Sequence, residues 1–199
     1  MDLTIRLDLD YVPWDAESAS EFGHAEPAMI LRLMDVARVN GTKYHFFAST
    51  RALQAFPAMA DLVLNEGHHL DWLCTEPASI DADITEARRV LGLAGVTPEV
   101  IGLQVDMVGV KPLEGVAFAG VSEMKSDLDA IRGGQTFRLW ADDVKAHLRA
   151  AKDLNKSLTV VLHPQIMGKF DSQGTVLADL VKYSIGLGFK IRTLREILK

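Results

Sequence analysis

One cysteine, Cys74, is the whole thiol complement of this 199-residue chain. No internal disulfide is available, and nothing in the sequence records an oxidising compartment. No apolar run approaches the roughly 18 residues of a membrane span, and Met1-Asp2-Leu3 leads into a strand pattern without the basic segment and apolar stretch of a secretory signal. On these grounds the chain reads as cytoplasmic. A basic excess is missing too: 21 Lys and Arg stand against 27 Asp and Glu, a formal charge of -6. That argues against nucleic-acid and anionic-membrane partners and for a small-molecule or glycan substrate. Gly-rich phosphate loops, a nucleophile elbow and Cys-based zinc spacings are absent, which removes nucleotide-binding and serine-hydrolase readings. There is no internal repeat and no low-complexity segment.

What is present is an ordinary globular composition, 48% hydrophobic and 24% charged, in a length that suits one domain over 1–199. Two stretches stand out: Leu7-Asp8-Leu9-Asp10 near the start and Val160-Val161-Leu162-His163-Pro164 near the end. Each is an apolar run that stops at ionisable residues and a turn signal, the signature of a parallel strand delivering a side chain to the strand-end face where α/β sites are built.

Between them, apolar runs and helical periodicity alternate. Strands are expected at Leu3 to Leu9, Lys43 to Ala48, His68 to Leu73, Val100 to Val108, Ser157 to His163 and Phe189 to Arg192, with one or two short ones around Val116 to Ser122. Helices are expected from Pro27 to near Asn40-Gly41, from a Ser49-Thr50 cap to Asn65, behind Ser79, over Leu139 to Leu154, over Thr175 to Gly186 and in a last C-terminal turn. The stretch from Val110 to Arg138 is the least regular. Strict alternation implies right-handed crossovers, and about seven such units predict a distorted or incomplete (β/α) barrel of parallel strands. The polar segment Tyr11 to Glu26 is long for a loop, and loops of that length cover or line sites.

The order of elements and several strings resemble the polysaccharide deacetylase family, the NodB-homology domain of carbohydrate esterases. Its opening strand ends in Thr-Phe-Asp-Asp-Gly, its second carries Thr-Phe-Phe, its third follows Gly-His-Glu and ends in His-x-x-x-His, and a late strand ends in Leu-His. Here the corresponding strings are Arg6-Leu7-Asp8-Leu9-Asp10, His45-Phe46-Phe47, Glu66-Gly67-His68-His69 and Leu162-His163-Pro164. The tail Gly186-Leu187-Gly188-Phe189 leading to Thr193-Leu194 is also similar. The resemblance spans nearly the whole chain. It implies a hydrolase of the C–N amide bond of an N-acetyl sugar, with Asp8 as catalytic base and His163 as catalytic acid around a divalent metal such as zinc held by one Asp and two His.

Departures from the pattern fall on that metal. In ungapped register its ligands land on Leu9, Leu73 and Pro77, which offer an ion no donor atoms. The arginine of the fourth strand that steadies the base is replaced within Leu103-Gln104-Val105-Asp106. Shifted ligands remain conceivable in Asp10, His69 and Asp71, or Glu76, with His24 as a loop ligand. Against this stands depth, since two residues of strand advance about 6.6 Å and Asp71 lies a layer below the position it would replace. The plainer reading is that Asp8, His69, Asp71 and Asp106 pair with one another and with Arg6 or Lys43 inside the barrel. Substrate contacts are expected from Trp14, His24, Trp72 and Glu76, in or beside segments at the strand-end mouth, although the phase of Trp72 points it away from Asp71. His45 and His147 read as sheet and surface residues. Two outcomes follow: a deacetylase-type hydrolase with a degenerate metal site, or a catalytically silent relative serving as a carbohydrate-binding or interaction domain.

Overall fold

In the computed structural model, residues 1–10, 25–76, 80–103, 117–119 and 124–198 are described. Strands β1 (Asp2–Leu9), β2 (His45–Ala48), β3 (His69–Cys74), β4 (Val100–Leu103), β5 (Ala117–Ala119), β6 (Met124–Ser126), β7 (Leu158–Leu162) and β8 (Lys190–Ile191) form one sheet. Its order is β5-β4-β3-β2-β1-β7-β6, with β8 beside the first residues of β1, and every described pairing is parallel. The helices are α1 (Ala25–Val39), α2 (Thr50–Ala55), α3 (Ala58–Asn65), α4 (Ile80–Leu93), α5 (Asp127–Arg132), α6 (Phe137–Asp153), α7 (Pro164–Phe170), α8 (Thr175–Gly186) and α9 (Leu194–Ile197). Among the described residues, no helix is long and apolar enough to cross a membrane.

Side-chain alternation along β1 divides the molecule into two layers. Leu3, Ile5, Leu7 and Leu9 are all nearly fully buried in the layer between sheet and helices, where Phe46, Leu70, Trp72, Ile101, Val160 and Leu162 join them. Thr4, Arg6 and Asp8 alternate with them on the other face, inside the curl of the sheet. That interior has its own small apolar cluster of Phe47, Leu73, Val100 and Leu194. Each fully buried aliphatic contributes roughly 1.5–3 kcal/mol, so the outer layer is the main source of stability.

The sheet is a curled half-barrel, and Arg6 shows it. In a flat sheet β1 and β4 would lie roughly 14 Å apart, three strand spacings. Yet Arg6 donates from Nη2 to the Leu103 carbonyl at 3.1 Å on β4, and Met124 of β6, on the other side of β1, lies 3.8 Å from Nη1. Gly102 is what lets β4 come so near: a Cβ there would lie 2.6 Å from Phe47 Cδ1 and 3.1 Å from Arg6 Nη2.

Three local departures from the sequence expectation have simple causes. The single helix expected from Ser49 to Asn65 is two, α2 and α3, because Pro57 disfavours helical geometry at Phe56 (φ -134°, ψ 71°). Pro164 does not end β7 in a loop but starts α7, at a position where a missing N–H costs nothing. Within the irregular stretch, Ser126 caps α5, accepting from the Asp129 N–H. The expected strand from Val100 is described only to Leu103; its continuation lies outside the described residues.

Candidate functional site

Parallel strands put all their C-terminal ends on one side, the mouth of the half-barrel. Strand register sets the heights there. Leu7 pairs with Leu162, so Asp8 and His163 come to the same level on adjacent strands. Both are buried, 1% and 2% exposed.

Asp8 is held by Arg6, two residues earlier on the same face: Nε meets Oδ1 at 2.6 Å and Nη2 meets Oδ2 at 2.7 Å. This fork-on-carboxylate geometry, strengthened by burial, fixes the carboxylate's orientation. Arg6 is itself seated over the Phe47 ring, 4.9 Å from its centroid. The steadying arginine that the resemblance places on the fourth strand is thus supplied from β1.

His163 has an equally close partner. Asp127, the first residue of α5, accepts the His163 backbone N–H at 2.9 Å and faces Nδ1 at 2.6 Å. Burial opposes a charged imidazole, but the charge and hydrogen bond of Asp127, with the charge of Asp8 beyond, outweigh it and hold the His163 pKa above the ordinary value. Nδ1 is committed to Asp127, while Nε2 is buried and has no hydrogen-bond partner among the described residues. Nothing in the local sequence pairs Asp127 with His163, although the string Ser126-Asp127-Leu128-Asp129 carries a helix-start signal.

The metal-holding half of such a site does not fit the described residues. Leu9 is packed in the helix–sheet layer and Leu73 in the interior apolar cluster; Pro77 lies outside the described residues. The shifted set of Asp10, His69 and Asp71 is not brought together. Asp10 is at the mouth, where it accepts from Ser49 Oγ at 2.7 Å and from Arg51 Nη2 at 3.0 and 3.1 Å. The register puts Asp71 on a rung with Phe47 and Asp8, and His69 on the rung of His45 and Arg6, about 7 and 13 Å below Asp10 along the strands. Depth separates them, and so do their partners. Asp71 takes Arg195 from below at 2.7 and 2.8 Å, His45 Nε2 at 2.9 Å and the Glu99 N–H at 2.8 Å, and His69 Nδ1 shares a hydrogen bond with Thr193 Oγ1 at 2.8 Å. Burial pushes the Asp71 carboxyl up, but the hydrogen bonds and charges of His45 and Arg195 outweigh this and hold it below the usual carboxylate range. Among the described residues, no group of three or more His, Cys, Asp or Glu side chains could hold an ion.

The expected substrate residues separate as well. Trp72 is 3% exposed and faces the helices, not the interior, as its strand phase dictates. Glu76 is exposed just beyond the end of β3, on the mouth side. Trp14 and His24 lie outside the described residues, as does Asp106. His147, half-buried on α6, faces Asp143 within its own helix.

Comparison with solved structures gives this arrangement a context. BA3943 of Bacillus anthracis, described as a CE4 family pseudoenzyme, superposes with a TM-score of 0.68 at 10% identity over 100% of this chain and 65% of its own. The fold is that of the CE4 deacetylases. Peptidoglycan deacetylase PdaC of Bacillus subtilis matches with a TM-score of 0.65 at 12% identity over 99% of this chain and 89% of its own. The polysaccharide deacetylase Bc1974 of Bacillus cereus matches at 0.64 and 13% identity, over 100% and 94%. This chain therefore spans less than two thirds of BA3943 but most of the other two. No protein-family model and no curated protein sequence matches the chain. One further solved structure is a BA3943 mutant with restored enzymatic activity.

Proposed function

We propose that this CE4-fold chain is a catalytically silent relative that binds an N-acetyl sugar or similar amide at the barrel mouth without hydrolysing it. The observation that carries the reading is the split in the site. Asp8 is held by Arg6 and His163 by Asp127, as an acid–base pair would need, while in the family register the ion's donor positions fall on aliphatic Leu9 and Leu73. An imidazole Nε2 with no partner among the described residues and an oriented carboxylate at one level suit the carbonyl and the N–H or hydroxyl of an acetamido sugar, one donor and one acceptor. When bound, a divalent ion would polarise that carbonyl and activate water, and nothing among the described residues supplies its cage.

A second reading, a divergent deacetylase-type hydrolase, draws on the same intact pairs, with ligands such as His24 contributed from segments outside the described residues. Saturation-transfer NMR with N-acetylated chito-oligosaccharides separates the two when run beside metal analysis. The silent reading expects saturable binding that is lost in His163→Gln, unchanged oligosaccharide after long incubation, and no stoichiometric metal. Absence of saturable binding removes the binding role, and stoichiometric zinc with acetate release establishes the hydrolase.

A further inference from the structure

The lower end of the barrel, opposite the mouth, is closed by the C-terminal segment. β8 pairs with the start of β1, and α9 follows it beneath the strands. Leu194 fills the interior beside Phe47 and Val100. Arg195 rises into the cluster, donating to both oxygens of Asp71, to Glu99 Oε1 at 2.9 Å and to the carbonyls of Leu70 and Thr97 at 3.1 Å. Two histidines hold the segment as well: His69 Nδ1 shares a hydrogen bond with Thr193 Oγ1 at 2.8 Å, and the Leu194 N–H donates to His45 Nδ1 at 3.1 Å.

That last bond has a chemical condition. A ring nitrogen that accepts from a backbone N–H carries no proton, so docked α9 requires neutral His45, with its hydrogen on Nε2 facing Asp71. A second proton would set N–H against N–H at Leu194. It would also make the imidazolium a rival of Arg195 for the buried carboxylate of Asp71. We infer that His45 is the sensor of an acid-released latch: its protonation undocks α9 and opens the lower end of the barrel.

Other groups around His45 set the balance. Asp71 on β3 and, at greater distance, Glu99 before β4 and Glu196 on α9 favour the proton. His69 on β3, with its ring centroid 5.8 Å away, Arg195 on α9 and Arg6 on the same rung of β1 oppose it. Arg192, at the end of β8, is turned to Asp2. Burial is the largest influence and, with Arg195 and His69, keeps the docked His45 pKa below its ordinary value against the pull of Asp71. The sign follows: the docked state is favoured above pH 6.5 and loses ground as pH falls, because only the released histidine takes up the proton.

Hydrogen exchange followed by mass spectrometry on the full chain, corrected for intrinsic rates, reads the latch. Between pH 7.5 and 5.0 the protection of residues 190–198 should fall by up to roughly 30-fold, the limit for one imidazole that titrates near 6.5 once released, while α8 keeps its protection. His45→Asn offers an acceptor in place of Nδ1 that does not titrate, and should abolish the difference. Protection of 190–198 that is independent of pH, or that falls in step with α8, overturns the latch, as does an unchanged pH response in a folded His45→Asn protein. Should that variant not fold, NMR of the native chain decides: the His45 ring and the Leu194 amide must titrate with one midpoint, and separate midpoints refute the coupling.

Discussion

Replacing Arg6 with methionine is the sharpest test of how the mouth is held. The substitution keeps an unbranched apolar stem over the Phe47 ring but strips both hydrogen bonds from Asp8, whose side chain is 1% exposed. A buried carboxylate left without its cation costs roughly 3–5 kcal/mol, because desolvation remains while the compensating charge is gone. For a chain of this length 1 kcal/mol moves Tm by about 2–4 °C, so Arg6→Met should melt about 6–20 °C lower. The double variant Arg6→Met/Asp8→Leu removes both charges and should regain most of that loss. Urea denaturation of the four proteins of this cycle gives the coupling directly. A single variant that costs less than about 1 kcal/mol, or a double variant as unstable as the single, would show that the pair is not the buried, mutually dependent unit described here.

Two titrations follow from the other histidines. The His163 pKa is raised, so its stabilisation is complete below pH 6.5 and is lost as pH rises through the folded value; Asp127→Asn should move the NMR midpoint of the His163 ring to lower pH, and an unmoved midpoint refutes the pairing. His68 is the opposite case, lowered to about 4 by burial, with the nearby Lys43 charge adding to it, and its Nδ1 accepts the Tyr44 N–H, a bond that only the unprotonated nitrogen can make. Its neutral form stabilises the fold above pH 6.5, and on the order of 2 kcal/mol, allowing for solvent screening, should disappear as pH falls towards 4. Denaturation of His68→Asn across that range should show a flatter profile than the native chain, and parallel profiles would remove His68 as the cause.

Much of the architecture is legible in the sequence because β1 alternates and the strands and helices take turns. Leu3, Ile5, Leu7 and Leu9 against Thr4, Arg6 and Asp8 declare two faces before any coordinates exist. The helix Thr175–Gly186 has the expected bounds. Phase also foretold that Trp72 turns from the interior, which sets it with the core rather than with a sugar. What the sequence conceals is partnership over distance. Nothing local says that Asp127, in the least regular stretch, reaches His163, or that Arg195, 124 residues after Asp71, comes up beneath it. Strand depth was readable for His69 and Asp71 and argued against a metal, yet only the register of three strands turns that argument into a separation from Asp10. The break at Pro57 was readable and overridden by the apolar periodicity on either side.

Acetate release from N-acetylated chito-oligosaccharides, with zinc, cobalt or nickel added in turn, tests the central claim that an acid–base pair survives here without its metal cage. The account predicts release indistinguishable from that of Asp8→Asn under every metal. Turnover that depends on added metal and vanishes in Asp8→Asn would contradict it.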